Sequence, residues 1–361
     1  MTDYIVSVDA GNGGTNAVLA EKKGFKSVYF PSVRASATGD SLGLGSQFEL
    51  DYEYVDWGEH RFVVGDDVLR ISRKGIERHQ GAYRYGDEFH QFLVAVAIAK
   101  LGITEGTVDL TLFAPPGMYV EARETMQKAF MEDDGAVEIK FKSDKKPRKW
   151  RYSSINVFPE GIGAAACFVL DEKGKPVASE LLSGDTVILD MGMHTLDALQ
   201  MSDGNFNPES LSTATWEAQG IKAHILDPVL HQIKKKGDDF ALLTIDDIDA
   251  VVRNGILKGD YKLRIAGTEL DIQKIIDKYA ERYAEWIGNN IVEGVFNGLR
   301  GFKGAILVGG GAVLTAKHLD GYYPDKILHF SDYKETKGVE PVFANALGGL
   351  RLAKMRQANP A

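Results

Sequence analysis

Residues 6–20 read VSVDAGNGGTNAVLA. Alternating apolar residues lead to Asp9, glycine and asparagine then crowd Gly11–Gly14, and a second apolar run follows Thr15 and Asn16. The flanks YIVSVD and NAVLAE carry strand patterning, so the glycine segment reads as a hairpin loop. A dinucleotide fingerprint would need a helix after the glycines, and a Walker loop would need GK[ST]; the segment has neither. What remains is a loop of dense backbone N–H groups with no side chain to block a phosphate. Gly11, Asn12, Gly13, Gly14 and Thr15 supply the N–H and hydroxyl donors. Asp9, at the strand end, is placed to hold a Mg²⁺, often through water. A plain glycine-rich β-turn has the same look, so the reading depends on the rest of the chain.

The design recurs. Residues 188–199, ILDMGMHTLDAL, again run apolar strand, aspartate, glycine, polar turn, apolar strand. Asp190 ends the strand, Gly192 allows close approach, and Thr195 offers a hydroxyl. This internal repeat points to two related domains, with two opposed hairpins clamping one triphosphate. Residues 155–165, INVFPEGIGAA, place Glu160 between a strand end and a small-residue helix. A carboxylate there orients an attacking water or serves as a helix N-terminal acid satisfied by the dipole; chemistry alone leaves both open. Residues 306–314, ILVGGGAVL, put Gly309, Gly310 and Gly311 after a buried strand. They let a flat ring lie against backbone, or they make a tight strand-to-helix turn.

Bulk properties set the frame. A chain of 361 residues corresponds to about two domains. The formal net charge of −9 opposes direct nucleic-acid binding driven by bulk electrostatics. The basic run KSDKKPRKW (142–150) reads as a solvated hairpin tip between paired strands. The single cysteine, Cys167, rules out an intramolecular disulfide and a cysteine zinc cluster, and it reads as a small buried residue. The opening MTDYIVSVDA lacks the basic and apolar regions of a signal peptide, and no run approaches roughly 20 uncharged apolar residues. The expected location is the cytoplasm, with no membrane contact. Residues 88–101, EFHQFLVAVAIAKL, predict a helix with a broad apolar face, and YVEARETMQKAF (119–130) an amphipathic one.

The order of these pieces resembles the actin superfamily, and within it the bacterial actin-like group of ParM and its relatives. FPSV (30–33), FVVGDDV (62–68), LFAPPGMY (112–119), INVFPEGIGAA, ILDMGMHTLDAL and ILVGGGAVL all fall where that group has similar segments. The resemblance implies an α/β, actin-like fold: two domains of ribonuclease-H type with a nucleotide cleft between them. We expect them at residues 1–167 with 337–361, and 168–336. It implies ATP (or GTP) with Mg²⁺. Asp9 then lies near the ion; Gly11, Asn12, Gly13, Thr15 and Asn16 match the first phosphate loop. Glu160 matches the group that positions the hydrolytic water. Asp190 and Gly192 match the second loop, with Asp190 near metal and water, and Gly309–Gly311 match the adenosine side. The implied activity is nucleotide-dependent filament assembly followed by hydrolysis, and the group typically segregates plasmid DNA through a DNA-binding adaptor protein. The chain departs from the pattern at Met193 and His194, where many relatives carry Gly and a small residue; His194 reads as a surface or packing histidine, with phosphate contact as the alternative. The ribose contacts are expected around Gly220–His224.

Two other functions fit the same superfamily. A small-molecule kinase for sugar or acetate needs a base aimed at a substrate hydroxyl, whereas PEGIGAA looks more like a water-activating element. A non-motile scaffold commonly adds a subdomain or a membrane-targeting tail, and RLAKMRQANPA is a short C-terminal stretch without that pattern. A filament requires head-to-tail contacts that do not close; Leu42, Leu44 and Trp57 are candidates for one such surface.

Overall fold

The computed structural model describes residues 2–37, 52–68, 75–78, 84–177, 183–206, 215–265 and 267–359. The chain divides into two compact units, Met1–Val177 with Asn345–Ala361, and Ala178–Ala344.

Unit 1 contains β1 (Tyr4–Ala10), β2 (Gly14–Ala20), β3 (Phe25–Pro31), β4 (Val33–Ser36), β5 (Tyr54–Trp57), β6 (His60–Val64) and β7 (Ile76–Arg78). Helix α1 (Glu88–Lys100) leads to β8 (Glu105–Ala114); α2 (Tyr119–Phe130), β9 (Ala136–Phe141), β10 (Arg148–Pro159) and α3 (Ile162–Val169) follow. Its sheet has the order β3-β2-β1-β8-β10-β9-β5-β6-β4-β7. β1 is antiparallel to β2 and parallel to β8, which is parallel to β10. The parallel strands are covered on both faces, which is why DLTLFA of β8 is a continuous buried run instead of an alternation. Helix α1 starts on the Asp87 cap, whose carboxylate accepts from the His90 N–H at 2.7 Å. The sequence predicts one broad apolar face for it; in fact Phe92–Ala99 are buried without a break, so the helix is encased all round. Helix α2 is amphipathic as its spacing predicts, burying Ala122, Met126 and Phe130. The basic run between β9 and β10 is a hairpin tip, with Arg148 paired to Asp144 at 2.7 Å.

Unit 2 contains β11 (Asp185–Met191), β12 (Leu196–Ser202), β13 (Asn205–Phe206), β14 (Thr215–Trp216), α4 (Asp227–Lys234) and α5 (Ile245–Lys258). The hairpin β15 (Lys262–Ile265) and β16 (Thr268–Asp271) precedes α6 (Gln273–Ile287), β17 (Phe302–Val308), α7 (Gly310–Tyr322) and β18 (Ile327–Leu328). Helix α5 opens on a capping box, in which Asp247 Oδ2 accepts from the Thr244 N–H at 2.8 Å. The main sheet runs β13-β12-β11-β17-β18, with β11 antiparallel to β12 and parallel to β17. This is the same path as β3-β2-β1-β8-β10. The two units are therefore related, as the internal repeat suggests, and each is built on the ribonuclease-H-type sheet that the resemblance implies. After unit 2, α8 (Ala344–Ala358) carries the chain back, re-entering unit 1 at Asn345.

Candidate functional site

The β1–β2 hairpin pairs Asp9 with Asn16 and Ala10 with Thr15. The Gly11 N–H donates to the Gly14 carbonyl at 3.0 Å, which leaves Asn12 and Gly13 at the tip. None of its glycines adopts a left-handed φ. A Cβ on Gly14 would lie 2.4 Å from Cε2 of Tyr29, so the ring would have to move, and one on Gly11 would make a tight 3.3 Å contact with the Gly14 oxygen. The loop carbonyls are tied inward. Ser32 N–H donates to Gly13 O at 3.3 Å, Arg84 Nη1 donates to Ala10 O at 3.3 Å, and the Thr15 and Ser32 hydroxyls are 2.9 Å apart. The Asn12 and Gly13 amides have no acceptor among the described residues, so the tip presents N–H groups outward, as an anion-binding nest does.

Asp9 and Asn16, directly opposed in the ladder, share one face of the sheet. Asn16 is 7% exposed and its Oδ1 has no hydrogen-bond partner among the described residues. A buried amide oxygen without a partner is costly, and beside a carboxylate it is a ready ligand for a hydrated cation or a bound hydroxyl. Glu160 follows β10 on the same strand-end edge. Its N–H extends the ladder to Ala114 O at 2.8 Å, and Gly161, at φ 86°, turns the chain into α3. β1, β8 and β10 are parallel, so Asp9 and the Glu160 turn lie at the carboxyl ends of their strands, where α/β sheets take ligands. Asn345 of α8 joins these parts. Its Oδ1 accepts from the Gly161 and Ala164 amides at 2.9 and 3.3 Å, and its Nδ2 donates to Asp9 Oδ2 at 3.4 Å.

The β11–β12 hairpin repeats the first position by position. Asp190 pairs with Asp197 and Met191 with Leu196, and the Gly192 N–H donates to Thr195 O at 3.0 Å. Asp190 thus stands where Asp9 does, Gly192 where Gly11 does, and Asp197 where Asn16 does. Thr195 takes the place of Gly14, and its hydroxyl donates to Asp197 Oδ2 at 3.2 Å. Asp197 is 1% exposed and also accepts from the Thr215 hydroxyl at 2.5 Å. Sequence reasoning missed both Asp197 and Asn345. Superposing the two repeats finds Asp197, since Asn16 and Asp197 lie equally far from Asp9 and Asp190.

The bulkier tip, Met193 and His194, is pinned. Amides of Gly220, Ile221 and Lys222 donate to the carbonyls of His194, Gly192 and Met193 at 3.1, 3.0 and 3.0 Å. Gly220 is required by this approach, because a Cβ there would lie 2.5 Å from Met193 O. Behind the segment, His224 stacks on Tyr283 with ring centroids 4.5 Å apart and its Nε2 meets Gln219 Oε1 at 2.8 Å. Burial lowers the His224 pKa, keeping the ring neutral. Burial, and then the negative charges of Asp197 and Asp190, push the Tyr283 phenol well above its ordinary range; its hydroxyl donates to Gln219 O at 2.6 Å.

The triple glycine divides by role. Gly309 has φ 81°, and a Cβ there would lie 2.7 Å from Asp190 Oδ1. A Cβ on Gly311 would lie 2.6 Å from Ile221 Cγ2 and 2.7 Å from Met191 Cβ. Both glycines are needed to seat α7 against the β11–β12 hairpin. Gly310 has nothing within 4 Å of its Cβ position and faces open space.

Of the residues considered for contacts with other molecules, Leu42 and Leu44 lie outside the described residues. Trp57 is half-buried and packs edge-on against Phe92 at 5.9 Å. Cys167 is fully buried, and burial pushes its thiol up to about 12, the profile of an inert core residue. Among the described residues no helix is long and apolar enough to cross a membrane.

Residues 7–163 match the family described as actin-like proteins, N-terminal domain. No curated protein matches the chain. Among solved structures, the archaeal actin homologue Ta0583 aligns with TM-score 0.72 at 18% identity, over 97% of this chain and 99% of its own. A ParM from a 15-stranded Clostridium botulinum filament aligns with TM-score 0.71 at 18% identity, covering 98% and 99%. Bacillus thuringiensis ParM with ATP aligns with TM-score 0.69 at 16% identity, covering 99% and 100%. The chain has the actin-like fold over its length, and its likeness to the ParM group of actin-like proteins, first carried by the motifs, extends to the three-dimensional structure.

Proposed function

We propose that this chain is a polymerising nucleotidase that binds ATP (or GTP) with Mg²⁺, assembles into filaments and hydrolyses the nucleotide. The observation that carries the reading is the repeated hairpin. Both units end a central strand in aspartate and glycine, with one register and one loop length. An ordinary turn needs no such duplication, whereas a triphosphate needs donors for several oxygens.

The residues fit a nucleotide and its cation. Among the described residues Asn12 and Gly13 offer amides without an acceptor, Asn16 Oδ1 is an orphaned buried acceptor next to Asp9, and Gly310 borders open space. Among the described residues no group of three or more His, Cys, Asp or Glu is spaced to hold a metal. A Mg²⁺ usually takes one or two carboxylates and completes its shell with water and phosphate oxygens. Asp9 and Asp190 would hold it; when bound, it neutralises phosphate charge and favours departure of the leaving group. Gly11, Asn12, Gly13, Gly14, Thr15 and Asn16 of the first hairpin, and Gly192 and Thr195 of the second, bind and orient the phosphates. Gly309–Gly311 border the adenosine. Glu160 orients the attacking water, and catalysis rests on positioning and electrostatics.

Filament formation and nucleotide binding are supported by the structurally similar proteins, one described as a filament and another as carrying ATP. The more specific role we propose is plasmid DNA segregation. The filament would act in the cytoplasm through a DNA-binding adaptor, because the net charge of −9 disfavours direct DNA contact. The test is right-angle light scattering of the purified protein with Mg-ATP, Mg-GTP, Mg-ADP or no nucleotide. A rise with triphosphate that decays as phosphate appears is expected. A flat trace with nucleotide still bound would overturn the filament reading and favour a small-molecule kinase.

A further inference from the structure

Helix α8 crosses α3 on glycine: a Cβ at Gly163 would lie 2.4 Å from the Asn345 carbonyl, and one at Gly348 1.5 Å from the Gly163 carbonyl. On its other side the same helix approaches β1, where a Cβ at Gly349 would lie 2.3 Å from the Ser7 hydroxyl. Ser7 and Asp9 share a face, two residues apart on one strand. The first turn of α8 is thereby wedged between the α3 N-terminus and the Asp9 strand end. Asn345, 5% exposed, fills the wedge.

An amide is suited to this place. Helix α3 begins at a glycine without a side-chain cap of its own, so its first amides need an external acceptor. A donor from Asn345 helps hold the Asp9 carboxylate in one rotamer. Asn345 offers an acceptor at one atom and a donor at the other, and both are used. A leucine would fill the volume and satisfy neither. An aspartate would satisfy only the helix.

We infer that Asn345 is a positioning residue for nucleotide hydrolysis: it fixes the Asp9 carboxylate to the turn that carries Glu160, so that the cation-side and water-side groups keep one spacing. The inference rests on the nucleotide reading above. It assigns a role to a residue in the last helix, more than 150 positions from either group it joins.

The test compares the full-length wild-type protein with Asn345→Asp and Asn345→Ala. Nucleotide affinity is measured in EDTA and in Mg²⁺, the hydrolysis rate across a Mg²⁺ series, and the unfolding temperature alongside. Asn345→Asp keeps an acceptor for Gly161 and Ala164, favourable at a helix N-terminus, and replaces the donor 3.4 Å from Asp9 Oδ2 with a second carboxyl group. It should melt below the wild type, because the two carboxyl groups repel or must share a proton, and bind nucleotide normally in EDTA. Its Mg²⁺ half-saturation should rise and its hydrolysis rate fall, each about 10-fold, the usual effect of losing a residue that orients a ligand. Asn345→Ala should show the same losses and also melt earlier. A wild-type rate and Mg²⁺ half-saturation in Asn345→Asp would overturn the assignment alone. Absence of nucleotide binding by the wild-type protein would instead overturn the nucleotide reading, and this assignment with it.

Discussion

The α3–α8 crossing makes a quantitative prediction for Gly348→Ala. The new methyl carbon would sit 1.5 Å from the Gly163 carbonyl oxygen. Ordinary contact begins near 3.5 Å, so the helices must part by about 2 Å. The obstacle is backbone in the partner helix, which no rotamer change relieves. Overpacking of this kind costs about 1–3 kcal/mol. Parting the helices also strains the two bonds from Asn345 to the α3 amides, worth about 1 kcal/mol each. Alanine returns about 1 kcal/mol over glycine in a helix. The net destabilisation is about 2–4 kcal/mol, which for a unit of this size lowers the melting temperature by on the order of 10 °C. The assay is thermal unfolding followed by far-UV circular dichroism, with Gly321→Ala of α7 as the control. Gly321 has nothing within 4 Å of its Cβ position, so its alanine should be neutral or stabilise by roughly 0.5–1 kcal/mol. Hydrolysis should fall in Gly348→Ala, because Asn345 moves with its helix. A Gly348→Ala protein that melts with the wild type would refute both the tight crossing and the energy assigned to it.

Two further predictions concern the site and a third concerns the core. Glu160→Ala should preserve nucleotide affinity and assembly while slowing phosphate release about 100-fold or more, so filaments persist; lost ATP binding in a titration would remove Glu160 from the water-positioning role. Gly309→Ala and Gly310→Ala should part company: the first meets Asp190 at positive φ and destabilises the fold, while the second has room and leaves the melting temperature unchanged. Gly310→Ala should still weaken nucleotide binding, and unchanged affinity would move the nucleotide away from that glycine. The Cys167 thiol, pushed up to about 12 by burial, stays protonated through neutral and mildly alkaline pH, with thiolate gained only as pH rises toward that value. It should resist iodoacetamide in the native protein and react after denaturation; rapid native labelling would contradict its burial.

Much of the fold was legible because its signals are local. The aspartate-glycine turns at Asp9 and Asp190, the PEG turn at Glu160 and the glycine run at Gly309 each sit at a strand end that hydrophobic patterning marks. Where the reading departed from the structure, packing intervened. Helix α1 has no solvent face along Phe92–Ala99, because covering elements surround it and periodicity cannot report them. Gly309 and Gly311 each meet a neighbour that leaves no room for a Cβ, a packing role that the sequence does not separate from room for a ligand.

The sequence by itself determined the repeated hairpins, the order of the motifs and, through them, the actin-like fold. These depend on residues adjacent in the chain, where φ, ψ and side-chain alternation act within a few positions. Only the tertiary structure showed that Gly310 is the open member of its triplet and that Asn345 joins Asp9 to the Glu160 turn. Each of these rests on distances between residues far apart in sequence. Such distances are set by how closely two backbones approach, and the glycines that permit that approach look in the sequence like any other glycine.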